Sequence, residues 1–168
     1  MTVRSPRGFS LVELLVVVTL VAVLAAILLD RILLYQEQAE KVAAEQVIAA
    51  VRSGLQMQFA SRLLSEDRSG IKGIFEGNPI DILIDPPSNY GGIISGGGQS
   101  PEVPKKGSWY FDKERRELVY YPKLSSNLAS ENVEKVLRFR VEGSGELAGR
   151  GNMGFGIRLT TVIPYQWF

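Results

Sequence analysis

Glu13 lies near the start of an apolar run, Leu11 to Leu29, whose 19 residues hold no other charge and one hydroxyl, Thr19. A carboxylate inside a membrane helix costs about 2.5–3.5 kcal/mol at the centre and less near the interface. Such a group either sits solvated at headgroup level or answers a cation at a working site. Position alone leaves both readings open. Other reactive groups are scarce. The chain has no histidine and no cysteine, which removes the commonest general base, the commonest metal ligand and all thiolate and disulfide chemistry. No nucleophile constellation is present, so no catalytic residue is assigned and an enzyme is not the reading. Asp81, Asp85, Asp112 and Glu114 are loop acids without the close oxygen-ligand spacing of a calcium loop, and turn chemistry accounts for them. No metal and no cofactor is expected. Gly96-Gly97-Gly98 lacks the lysine and the strand-to-helix setting of a phosphate loop. Lys105-Lys106 and Arg115-Arg116, near Trp109 and Tyr110, have the residue types of a single-strand contact. Solvated hairpin charge is the favoured reading, and the net charge of +1 gives no global field toward nucleic acid.

The element that must position Glu13 is the apolar run. A helix across the hydrocarbon core needs roughly 20 mostly apolar residues, and this run reaches that length without Pro or Gly. A core helix of a soluble protein rarely stays apolar on every face for so many turns. A cleaved secretory signal would be shorter and end at a small-residue site, whereas this run leads into Asp30-Arg31 and more helix-forming sequence. A retained transmembrane anchor is therefore expected. Arg4 and Arg7 precede it and place the N-terminus in the cytoplasm.

Helix-forming composition continues to about Leu64, with Gly54 its only glycine after the anchor. Ile48, Val51, Leu55, Phe59 and Leu63 recur at three- and four-residue spacing, one apolar face for a core. Glu37, Lys41, Glu45, Arg52 and Gln56 are read as the opposite, solvated face. Ser65 to Lys106 is rich in Gly, Pro, Ser and Asn and reads as ordered but irregular, with apolar anchors in residues 78–83 and 85–90. Ser108 to Phe111 and Leu118 to Tyr121 flank a charged turn and predict a hairpin. Val136 to Val141 alternates, with Leu137, Phe139 and Val141 on one side and Val136, Arg138 and Arg140 on the other, and Phe155 to Val162 gives a fourth strand. The fold class is α+β: a long N-terminal helix packed on a small antiparallel sheet. The aromatic C-terminus, Tyr165 to Phe168, could bury against that sheet or against a neighbour, and the sequence does not choose.

The junction Arg7-Gly8-Phe9-Ser10-Leu11-Val12-Glu13-Leu14 joins a basic leader to the apolar helix. A leader ending in Gly, then Phe, then an acid four residues on, resembles the prepilin signal of type IV pilins and type II secretion pseudopilins, over residues 4–29. The resemblance implies cleavage after Gly8 by a membrane-embedded prepilin peptidase and N-methylation of the new terminus, Phe9. Glycine suits the cut, since it has no side chain to obstruct an extended backbone. The resemblance also gives Glu13 a partner, the N-terminal amine of a neighbouring subunit. An ion pair in hydrocarbon costs less than either charge alone, so Glu13 acts as a register device. Many relatives carry a Pro about 22 residues into the mature chain, where Asp30 stands here.

The sequence thus divides into a leader (1–8), a transmembrane helix (9–29), its amphipathic continuation (30–65) and a loop and sheet domain with the ladle form of pilins (66–168). The expected function is structural: a subunit, minor pilin or pseudopilin, of a type IV pilus or type II secretion pseudopilus. The alternative is a filament-associated binding module, an adhesin or DNA-uptake pilin. Expected partners are the prepilin peptidase, other pilin or pseudopilin subunits, an assembly-platform membrane protein and membrane lipid. The expected location is the inner membrane, single-pass, with a periplasmic C-terminal domain, and then the filament.

Overall fold

The computed structural model describes residues 9–95, 104–131, 134–144 and 156–168. One helix, α1, runs without interruption from Leu11 to Leu64. The chain separates into two compact units, one ending at Gln38 and one beginning at Ala39. α1 ends in a Schellman motif: Asp67 N–H donates to Arg62 O at 3.1 Å, Glu66 N–H donates to Leu63 O at 3.3 Å, and Glu66 takes the left-handed φ of 53°. Asp67 then caps the next helix, α2 (Arg68–Glu76), by accepting from Gly70 N–H at 2.9 Å. A 3-10 turn follows at Pro79–Ile82, capped by Asn78.

The second unit holds a five-stranded sheet and a two-stranded one among the described residues. The strands are β1 (Tyr90–Ile94), β2 (Ser108–Asp112), β3 (Glu117–Tyr121), β4 (Leu128–Ser130), β5 (Leu137–Ser144), β6 (Gly156–Thr161) and β7 (Tyr165–Trp167). The larger sheet has the order β1-β2-β3-β5-β6, and β4 pairs with β7. All pairings are antiparallel except β1 on β2, which is parallel. Ala44, Ile48, Val51, Leu55 and Phe59 of α1 join Trp109, Leu118, Tyr120, Leu137, Phe139, Ile157, Leu159 and Trp167 in one core. The fold is therefore α+β, a long helix followed by a small, mostly antiparallel sheet.

Four details depart from the sequence reading. Leu63, expected in the core stripe, is 47% exposed. Each four-residue step on an α-helix rotates about 40° past a full turn, so repeated steps from Leu55 through Phe59 carry Leu63 off the core face. Glu37, expected in solvent, is 3% exposed. It stands seven residues before Ala44, and a seven-residue step returns to within about 20° of the same face. Val136 is buried although its alternation partners are arginines, because it precedes the strand that starts at Leu137. The stretch read as irregular contains α2 and β1. Strand β1 carries two glycines, and an added Cβ on Gly91 would lie 2.3 Å from the Tyr110 ring, so the aromatic side chain occupies the space that the glycine leaves.

Within the second unit, polar groups tie its segment of α1 to the sheet side. Glu40 accepts from Tyr120 Oη at 2.8 Å, from Lys123 N–H at 2.6 Å and from Leu124 N–H at 2.9 Å. Burial pushes the Tyr120 phenol far above its ordinary pKa, and its bond to Glu40 adds to the shift. Glu117, 3% exposed, takes Arg140 at 2.6 Å and Arg138 at 3.3 Å across the β3–β5 pairing. Its charge is balanced where it is buried.

Candidate functional site

The candidate site is the start of α1. Gly8, the expected cleavage residue, lies outside the described residues. Phe9 is the first described residue, non-helical and 73% exposed. Ser10 is the N-cap: its Oγ accepts from Glu13 N–H at 3.2 Å, and its carbonyl accepts the first helical bond from Leu14 N–H at 3.1 Å. Glu13 therefore stands at the third helical position. Ser10-x-x-Glu13 has the spacing of a capping box, and Phe9 and Leu14 have the spacing of a hydrophobic staple. An acid in the first turn also faces the positive end of the helix dipole, which favours the charged carboxylate there.

Beyond Glu13 the helix presents apolar side chains on every side. Val16, Leu20, Val23, Ile27 and Leu29 are each more than half exposed, and none of the most apolar 18-residue window is buried within the protein. Thr19, its one hydroxyl, donates to Leu15 O at 2.8 Å and so leaves no free donor in the span. Among the described residues, this is the one helix long and apolar enough to cross a membrane. No side-chain ion pair of Glu13 is formed with any described residue. The carboxylate stands in the first turn with no cation paired to it among the described residues.

Further along, the face of α1 opposite the core is exposed and uncharged, whereas Lys41, Glu45, Arg52 and Gln56, read from the sequence as that face, flank the core stripe, and Arg52 donates to Leu159 O at 3.3 Å. Val42, Ala49, Ser53, Met57, Ala60 and Leu64 lie along the exposed face, with Met57 74% and Leu64 87% exposed. Small and apolar side chains of this kind let helices approach closely. Two of the acids set aside in the sequence have local duties. Asp112 Oδ1 accepts from Glu114 N–H at 3.1 Å and Arg115 N–H at 3.0 Å, and Asp81 accepts from the Asn78 amide at 2.8 Å. Among the described residues no group of His, Cys, Asp or Glu could hold a metal ion. Sequence reading missed Ser10 and Glu40. The Ser-x-x-Glu spacing could have found the first. Nothing local marks the second, whose partners lie 80 to 84 residues away.

A family model described as the prokaryotic N-terminal methylation motif matches residues 3–29. No curated protein and no solved structure matches the chain. The matched segment takes in the basic leader, Phe9, the Ser10 cap, Glu13 and the apolar span, so over residues 3–29 this chain carries the prepilin signal of type IV pilins and pseudopilins.

Proposed function

We propose that this chain is a structural subunit, a minor pilin or pseudopilin, of a type IV pilus or a type II secretion pseudopilus. A prepilin peptidase removes residues 1–8 at the Gly8–Phe9 bond and methylates the Phe9 amine. The apolar span holds the subunit in the inner membrane, N-terminus inside, until an assembly platform moves it into a filament. There the Glu13 carboxylate meets the terminal amine of a neighbouring subunit. In hydrocarbon that pairing favours one axial register, because neither charge is well solvated alone. Contact between apolar helices supplies the rest. The uncharged outer face of α1 from Val42 to Leu64 supports this reading, since a helix destined for water would carry charge there.

The observation that carries the proposal is the combination of the matched N-terminal motif with an acid that has no cation within the described chain. The test is Glu13→Val in cells that express the other subunits. The variant should be cleaved normally yet fail to co-purify with sheared filaments or with the major subunit. Normal co-purification of the variant would remove Glu13 from the assembly mechanism.

A further inference from the structure

We propose that Ser10 is a positioning residue for leader removal: by capping α1 at Leu11 it keeps Phe9, the residue that follows the scissile bond, outside the helix. The inference rests on the processing reading above and assigns a role to a residue that reading does not use.

Proteases take their substrates as extended backbone, because a helical carbonyl is shielded by its own hydrogen bond. The position of the helix start relative to the scissile bond therefore controls access. Here that start is set by one side chain. Ser10 Oγ accepts from Glu13 N–H at 3.2 Å, and α1 begins at Leu11. Phe9, on the cleaved bond, is non-helical and 73% exposed. The run downstream is long, unbroken helix, so its tendency to propagate toward the N-terminus is high once the stop is lost. One further turn toward the leader would place the Gly8 carbonyl in a bond to Val12 N–H and Phe9 itself in the first helical turn. Alanine at position 10 would both remove the cap and add the best helix former. Serine stops the helix two residues past the cut.

The cap also constrains Glu13. In the Ser-x-x-Glu arrangement the third helical residue belongs to the cap. Cap and assembly acid are thus fixed in one turn, with the future amine one residue outside it. The same four residues that end the helix for the peptidase hold the acid where the amine will form.

The experiment compares full-length precursor with Ser10→Asn, Ser10→Gly and Ser10→Ala in membranes that contain the prepilin peptidase, following cleavage over time by mass. Asparagine caps as well as serine without a hydroxyl, glycine loses little, and alanine loses the cap. The expected initial rates are wild type and Asn equal, Gly within about two-fold, and Ala about five-fold slower, the population change that loss of a typical cap produces. In micelles, exchange of the Val12 amide should slow in Ser10→Ala, where the lengthened helix pairs it, and not in Ser10→Asn. Equal rates for all four proteins overturn the proposal. So does slow cleavage of all three variants, which would mean that the peptidase reads the serine hydroxyl directly. If wild-type precursor is not cleaved at all, the processing reading fails, and this inference falls with it.

Discussion

Glu40 is a strong polar tie between the α1 segment of the second unit and the sheet side of that unit, and its removal has a calculable cost. Its carboxylate takes three donors: Tyr120 Oη at 2.8 Å, Lys123 N–H at 2.6 Å and Leu124 N–H at 2.9 Å. In Glu40→Ala these lose their partner unequally. Lys123 is exposed, so water can replace the carboxylate there, and Leu124 is half-buried. Tyr120 is 3% exposed, and its hydroxyl would be left buried and unpaired. An orphaned buried donor costs about 1–3 kcal/mol, and the two backbone bonds add about 1 kcal/mol between them after water substitution. The expected loss is about 2–4 kcal/mol. For a chain of this size that is about 2–4 °C of melting temperature per kcal/mol. Glu40→Gln keeps one oxygen acceptor but turns an amide toward Leu124 N–H or its neighbours, and should lose about half as much. The assay is denaturant unfolding of full-length protein in micelles, followed by near-ultraviolet circular dichroism. Trp109 reports on the site, since its ring centroid lies 4.6 Å from that of Tyr120. Repeating Glu40→Ala in a Tyr120→Phe background isolates the pair, because the orphaned hydroxyl is then absent. A loss below about 0.5 kcal/mol, or the same loss in both backgrounds, would refute the assignment of Glu40 as the tie.

Two further outcomes follow from the same geometry. Glu66 holds the left-handed position of the Schellman motif with φ 53°, where a side chain is strained and glycine is not. Glu66→Gly should therefore stabilise the protein by about 0.5–1 kcal/mol in the same unfolding assay. Burial raises the phenol pKa of Tyr120, Tyr90, Tyr121 and Tyr165 in the fold. A raised folded value means stability that is fully present below the unfolded tyrosine pKa, about 10, and is lost as pH climbs past it. Unfolding free energy should be flat from pH 7 to about 9.5 on account of these groups and fall above about 10, and Tyr120→Phe should make the fall shallower.

The long helix was legible because its signals are local: no proline, a single glycine, and a stripe at three- and four-residue spacing. The β2–β3 hairpin was legible for the same reason, two β-rich runs around a charged turn. What the sequence hid is set by distant partners. Ile71, Ile74 and Phe75 have helical spacing, but two glycines in α2 weaken its propensity, and packing of these residues against the core makes up for it. Tyr90-Gly91-Gly92 reads as loop until Tyr110 lies across Gly91. The C-terminal aromatics gave no sign of their partner, because β7 pairs with a three-residue strand about forty positions earlier. At the site, Glu13 was legible from its misfit with the run around it. Ser10 was legible only through its spacing to Glu13, and its hydroxyl bond to Glu13 N–H is what marks it as the end of the helix.

The most direct test is the intact mass of the protein recovered from membranes of peptidase-competent cells. Loss of residues 1–8 plus the gain of one methyl group, with fragment ions locating that methyl on the Phe9 nitrogen, is the expected result. A chain that still begins at Met1, or one cut at any other bond, would contradict the proposal that a new amine is made four residues ahead of the membrane acid.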